Sequence, residues 1–183
     1  MKLEKNNEQL LIGLLSDTHI TSKNEILPKR VLDDLKEKKV DYIFHMGDFT
    51  SNEVYEFLVN EFGKNKIFAV KGNMDARDMI LTKSLPETLE LELYGRKIFI
   101  THGSGAPHGI IERLNKNHDL SAYDIVIFGH THHPMKKIYE KDGKLYINPG
   151  ACESVDGEPT ILSSYAYLRI SDAQVQVEII NFK

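Results

Sequence analysis

Three histidines fall within four positions of the stretch FGHTHHP, residues 128–134, directly after an apolar run and directly before a proline. Imidazole is the side chain suited both to moving protons near neutral pH and to binding first-row metal ions. Residues of similar chemistry recur at the ends of other apolar runs: Asp17 and His19, Asp48, Asn73, His102, and here His130 with His132. Asp17 and His19 are two residues apart, as are His130 and His132. In extended backbone, positions i and i+2 face the same side, so either pair can converge on one ion. Gly47, Gly72, Gly103 and Gly129 adjoin these residues, as expected where backbone turns sharply or approaches a ligand closely. A mixed carboxylate, imidazole and amide donor set favours Mn, Fe, Ni or Zn over an all-oxygen calcium site or a thiolate zinc site. The set exceeds the needs of one tetrahedral ion. Two ions about 3.5 to 4 Å apart, bridged by one carboxylate, accommodate it and can hold a bridging hydroxide, a nucleophile for phosphorus.

The segments that deliver these residues are LLIGLLSDTH, DYIFHMGD, KIFAVKGN, RKIFITHG, DIVIFGHTH and KLYINPG. Continuous apolar runs of this length suit strands buried on both faces. The Asp, Asn and His residues collect at their C-terminal ends, the edge at which open α/β sheets bind ligands. Helical patterns lie between the early strands. Pro28 opens one that carries Val31, Leu32 and Leu35 inward; Ser51 caps another with Val54, Leu58 and Phe62, stopped at Gly63; a third covers GIIERLNKN. TLELEL and QVQVEII alternate apolar with polar, as half-exposed antiparallel strands do, and Asp142-Gly143 reads as a hairpin turn. The expected architecture is an α/β domain with a mixed sheet or two packed sheets, parallel early and antiparallel late.

With 183 residues, 41% of them apolar and 27% charged, the chain reads as one domain over residues 1–183, with residues 1–9 as a flexible tail. A formal net charge of -4 argues against a generic polyanion binder, and no Lys/Arg-aromatic stripe marks a dedicated nucleic-acid groove. No apolar stretch approaches the roughly 20 residues needed to span a bilayer. A single cysteine, Cys152, excludes an intramolecular disulfide framework; it reads as a small buried residue in a cytoplasmic protein.

The ordered series DTH, MGD, KGN, THG and GHTH, with NPG at 148–150, resembles the calcineurin-like metallophosphoesterases, and within them the small bacterial and archaeal phosphodiesterases. The likeness runs from about residue 11 to the C-terminus. It implies a four-layer αββα sandwich of two mainly mixed sheets flanked by helices, with a dinuclear metal site at the strand ends. Position by position, the resemblance assigns Asp17, His19 and His132 to one metal, Asn73, His102 and His130 to the other, and Asp48 to both as the bridge. Asp48, Asn73 and His102 are the residues it implicates most directly in catalysis. The implied cofactor is two divalent metal ions, Mn2+ first, with Ni2+, Fe2+, Zn2+ or Mg2+ as alternatives.

The activity implied is hydrolysis of a small phosphodiester by the bridging hydroxide. The alternatives are a phosphomonoesterase and a non-catalytic protein-interaction scaffold like the retromer subunit that shares this fold. A homodimer or higher homo-oligomer is expected, with the strands after residue 160 as edges. One departure stands out. Larger members of the superfamily often carry histidine after the Gly-Asn, where it assists the leaving group; this chain has Met74, which cannot donate that proton. Asp75 and Arg77 in the same loop are candidates for substrate contact. His45 is divided between orienting a ligand and packing, while His108, His118 and His133 fall outside the motifs.

Overall fold

In the computed structural model, residues 8–19, 27–138, 143–155, 158–159 and 163–182 are described. The chain runs β1 (Gln9–Leu15), α1 (Lys29–Glu37), β2 (Tyr42–His45), α2 (Asn52–Phe62), β3 (Ile67–Ala69), α3 (Met79–Ser84), β4 (Thr88–Leu93) and β5 (Arg96–Thr101). It continues through α4 (Ile110–Asn117), β6 (Ile125–Ile127), β7 (Met135–Ile138), β8 (Leu145–Asn148), β9 (Ser154–Val155), β10 (Glu158–Pro159), β11 (Ser164–Ser171) and β12 (Val175–Asn181). Two five-stranded sheets form, in the orders β12-β11-β1-β2-β3 and β4-β5-β6-β8-β7, and β9 pairs with β10 as a separate two-stranded unit.

The doubly apolar strands follow from a period of two divided between two cores. Leu10, Ile12 and Leu14 of β1 enter one cluster with Phe44, Ala166 and Leu168 of the same sheet and Ile98, Ile100, Ile125, Ile127 and Ile147 of the other. That cluster is the seam between face-to-face sheets. On the outer face of the first sheet, Leu15, Ile43, Tyr165 and Tyr167 pack with Val31 and Leu35 of α1, Val54 and Leu58 of α2 and Leu81 of α3. On the outer face of the second, Phe99, Val126 and Tyr146 meet Ile110, Ile111 and Leu114 of α4. The result is the αββα sandwich. Gly13 brings α1 close to β1, since a Cβ there would lie 2.6 Å from Leu35 Cδ2.

The helices start where their sequences say they should. Pro28 precedes α1, the Ser51 side chain accepts the Glu53 amide at 3.2 Å, and Gly63, at φ 97°, ends α2. The six-residue α3 was not legible as a helix, although Asp78 caps it by accepting the amides of Ile80 and Leu81. Strand order differs from a parallel-then-antiparallel progression. The α4 crossover makes β5 and β6 parallel, and β6 and β8 are parallel too, while β11 returns beside β1 antiparallel, so each sheet is mixed. TLELEL and QVQVEII become the antiparallel edge strands β4 and β12, as expected. Gln9 belongs to β1, opposite Ser171, and not to a tail; residues 1–7 lie outside the described residues. β7 and β8 pair antiparallel on either side of the expected Asp142-Gly143 turn, whose Asp142 is also outside them. Cys152 is buried, which pushes its thiol pKa up. Among the described residues, no helix is long and apolar enough to cross a membrane.

Candidate metal centre

The loops that follow β1, β2, β3, β5 and β6 bring the candidate ligands together, so both sheets contribute to one site. Asp17, His19, Asp48, His130 and His132 all adopt positive φ, at 51°, 42°, 57°, 68° and 58°. This corrects the extended-strand argument for the i, i+2 pairs. The left-handed region is costly for non-glycine residues, about 1–2 kcal/mol each, and such strain persists where surrounding bonds enforce it. Those bonds are present: Asp17 N donates to Gly47 O at 3.0 Å and His19 N to Asp48 O at 3.2 Å. His130 N donates to Asp17 Oδ2 at 3.0 Å. Asn148, from the NPG segment, donates to Gly129 O at 2.8 Å and to Thr131 Oγ1 at 3.0 Å, tying the GHTH loop to β8. The loops also interlock at glycines. A Cβ on Gly129 would lie 1.9 Å from Ser16 Oγ, and one on Gly72 would lie 2.2 Å from Asp48 Oδ1.

The donor atoms fall into two adjoining groups. In one, His19 Nε2 and His132 Nε2 are 3.1 Å apart, with Asp17 Oδ1 at 3.7 Å and 3.4 Å from them. In the other, Asn73 Oδ1 lies 3.1 Å from His102 Nε2 and 3.0 Å from His130 Nδ1, and the two imidazole nitrogens are 3.3 Å apart. Asp48 Oδ2 lies between the groups, 3.7 Å from His19 Nε2 and 3.3 Å from His102 Nε2. Its other oxygen accepts the Met74 amide at 2.7 Å. A carboxylate oxygen of Asp17 also comes within 4.8 Å of Asp48 and His102 donor atoms, so Asp17 stands close to both groups.

These atoms suit a cation. A carbonyl only accepts, so His102 Nδ1 donates to Met46 O at 2.7 Å and His130 Nε2 donates to Gly105 O at 2.8 Å. In the neutral rings the remaining nitrogens, His102 Nε2 and His130 Nδ1, then present lone pairs to each other and to Asn73 and Asp48 oxygens. Asp17 Oδ1 is buried without a hydrogen-bond partner. Lone pairs gathered this closely repel unless a proton or metal ion lies among them, and the backbone bonds behind the rings are the kind that orient metal-binding histidines.

Without a metal, protons take that place. Burial pushes the Asp17 and Asp48 carboxyls up, but His132 and His19 beside Asp17, and His102 beside Asp48, hold both below the ordinary carboxylate range. Burial pushes His102 down, yet Asp48 and Asp17 raise it above the usual histidine value; Asp17 raises His132.

The remaining candidates divide. Asp75 does not stand on an open loop surface, as the substrate-contact reading expects. It is fully buried, and its carboxylate accepts the amides of Asp48 at 2.9 Å, Thr50 at 2.9 Å and Gly72 at 2.8 Å, because the tight 3-10 turn over Met74–Arg77 points it inward. Arg77 is exposed. His45 is buried beneath the Asp48 loop, stacked on Phe49 at 3.6 Å, and its Nδ1 accepts the Gly47 amide at 3.2 Å. Burial drives its pKa down to about 3, so it serves as a neutral support. His133 and His108 are exposed, while His118 lies half-buried 5.0 Å from the Phe99 ring. Asn148 is the supporting residue that residue chemistry alone did not single out, although the NPG segment was its signal, and Asp75 was singled out in a different role.

Residues 10–173 match the calcineurin-like phosphoesterase superfamily domain, and the chain belongs to that superfamily. It is 36% identical over 143 residues to the probable metallophosphoesterase MJ0623 of Methanocaldococcus jannaschii, covering 78% of this chain and 68% of that one. It is 32% identical over 165 residues to phosphodiesterase MJ0936 of the same organism, covering 82% and 89%. Among solved structures, wild-type Vps29 from Entamoeba histolytica complexed with zinc aligns at TM-score 0.70 over 93% of this chain and 98% of that one. At 24% identity, that is a likeness of fold.

Proposed function

We propose that this protein hydrolyses small phosphodiesters with two divalent ions, Mn2+ first among them. Asp17, His19 and His132 would hold one ion, Asn73, His102 and His130 the other, and Asp48 both. The observation that carries the reading is Asp48 Oδ2 lying within 3.7 Å of His19 Nε2 and 3.3 Å of His102 Nε2 while its second oxygen is engaged by the Met74 amide. One free carboxylate oxygen between two imidazole groups suits a bridge. When bound, divalent ions supply positive charge to polarise a phosphoryl oxygen and hydroxide as nucleophile at neutral pH.

The chain's own residues prepare the setting. Asp17 and Asp48 remain anionic, and the Met46 and Gly105 carbonyls hold His102 and His130 with one nitrogen facing inward. Asn73 and His102 also line a cleft that opens from the site, where the ester enters. The relative named as a phosphodiesterase supports diesters over monoesters. The Vps29 likeness is one of fold and favours no function, and every donor position here retains a side chain able to bind metal.

Metal-stripped protein should be inactive on bis(p-nitrophenyl) phosphate and regain turnover with Mn2+, and Asp48→Asn should lose about 100-fold or more. Near wild-type activity in Asp48→Asn would remove the bridge. No turnover with any first-row ion would leave the scaffold reading, to be pursued through a protein partner; faster turnover of p-nitrophenyl phosphate would favour the monoesterase.

A further inference from the structure

The cleft beside Asn73 and His102 has a volume of about 270 Å³. This is near the lower end of ligand pockets, roughly 300–1,000 Å³, and suits one compact organic group better than an extended chain. Its chemistry is set by which polar groups in its wall are already engaged. Lys71 Nζ lies 3.5 Å from Glu87 Oε1. The Arg113 guanidinium donates to the backbone carbonyls of Ser104 at 3.0 Å and His108 at 2.8 Å, and to that of Ala106. Both cations in the wall therefore have anionic or carbonyl partners, and a second phosphate entering here would have to compete with them.

The other polar groups are different. Among the described residues, the Thr88 and Ser104 hydroxyls, the Asn117 amide and the His118 imidazole have no side-chain hydrogen-bond partner. Ile110 and Leu114 of α4 supply an apolar wall beside them. Apolar walls with a few convergent neutral donors and acceptors recognise an uncharged ring bearing hydroxyl or amide groups. The cleft is also coupled to the metal centre: the loop gripped by Arg113 includes Gly105, whose carbonyl orients His130.

We infer that this cleft binds the uncharged substituent of the diester, a single sugar or heterocyclic unit of the kind found in a nucleoside ester, and disfavours polyphosphates. The inference rests on the phosphodiesterase reading above and adds a substrate class to it.

Two esters test it in the metal-loaded enzyme. Thymidine 5′-(p-nitrophenyl phosphate) and methyl p-nitrophenyl phosphate share a leaving group and differ in the retained substituent. The thymidine ester should have about tenfold higher kcat/KM, as one or two added hydrogen bonds would give, with the gain chiefly in KM. The combined substitutions Thr88→Val and Asn117→Ala should return the ratio of the two esters towards one. A second readout does not require turnover: thymidine added to metal-free protein should shift the NMR signals of the His118 ring and the Asn117 side-chain amide, and tripolyphosphate should not. Equal kcat/KM for the two esters, or shifts caused by tripolyphosphate and not by thymidine, would overturn the cleft assignment. Turnover of bis(p-nitrophenyl) phosphate separates the two levels. Its absence with every first-row ion overturns the phosphodiesterase reading, whereas its presence alongside equal rates on the two esters overturns the cleft assignment alone.

Discussion

At His102 and His130, one ring nitrogen donates to a backbone carbonyl, and that bond dictates what the other nitrogen can do. The inward nitrogen must accept, from a metal or from a proton. His102 and His132 hold their protons to higher pH than a free imidazole in the metal-free state, through the nearby Asp48 and Asp17 carboxylates. Metal binding must displace those protons. Apparent Mn2+ affinity should therefore weaken as pH falls through neutrality and level off above the raised histidine pKa values. Calorimetric titrations between about pH 6 and pH 8.5, in buffers of different ionisation enthalpy, would also register the released protons.

Met74 contributes a backbone amide to Asp48, and its thioether has no proton to give a leaving group. Across a series of aryl phosphodiesters, the rate should fall steeply as the leaving group becomes more basic, and Met74→His should flatten that slope. A flat profile in the wild-type enzyme would locate the proton donor elsewhere.

The loops that connect strands to helices turn these residues into a site, and Asp75 shows how. Its position in a polar loop suggests a solvated residue; the 3-10 turn instead points it at three backbone amides that shape the Asp48 loop. Local sequence does not report the direction of a loop side chain, because that depends on amides contributed from residues far along the chain. Asp75→Ala leaves those buried donors without an acceptor and should destabilise the protein by about 3 kcal/mol in denaturant unfolding, with activity falling alongside. Asp75→Asn keeps one acceptor oxygen and should recover part of the loss. The short helix α3 eluded the sequence for a related reason: six residues give too little periodicity to read, and its Asp78 cap is recognisable only once the turn before it is known.

Across the whole molecule, stability and chemistry occupy different places. The seam between sheets is built mainly from Leu, Ile and Val, while the candidate ligands sit in loops beyond the strand ends. Leu168 is fully buried in that seam. Leu168→Ala should lower stability by about 3 kcal/mol, read as a reduced thermal midpoint. The metal-restored kcat/KM at a temperature where the variant remains folded should stay close to that of wild type.

By itself, the sequence determined the strand segments, three of the helices and the candidate donor residues that the fold brings together, because apolar period, caps and donor chemistry are local properties. Runs such as LLIGLL also required burial on both faces. The tertiary structure alone decided the assembly: β11 returning beside β1, left-handed backbone at Asp17, His19, Asp48, His130 and His132, and Asp48 standing between the two histidine groups. These depend on contacts between residues far apart in the chain. The candidate ligand pairs converge through strained loops held by such contacts, and no spacing rule along the sequence contains the bonds that hold them there.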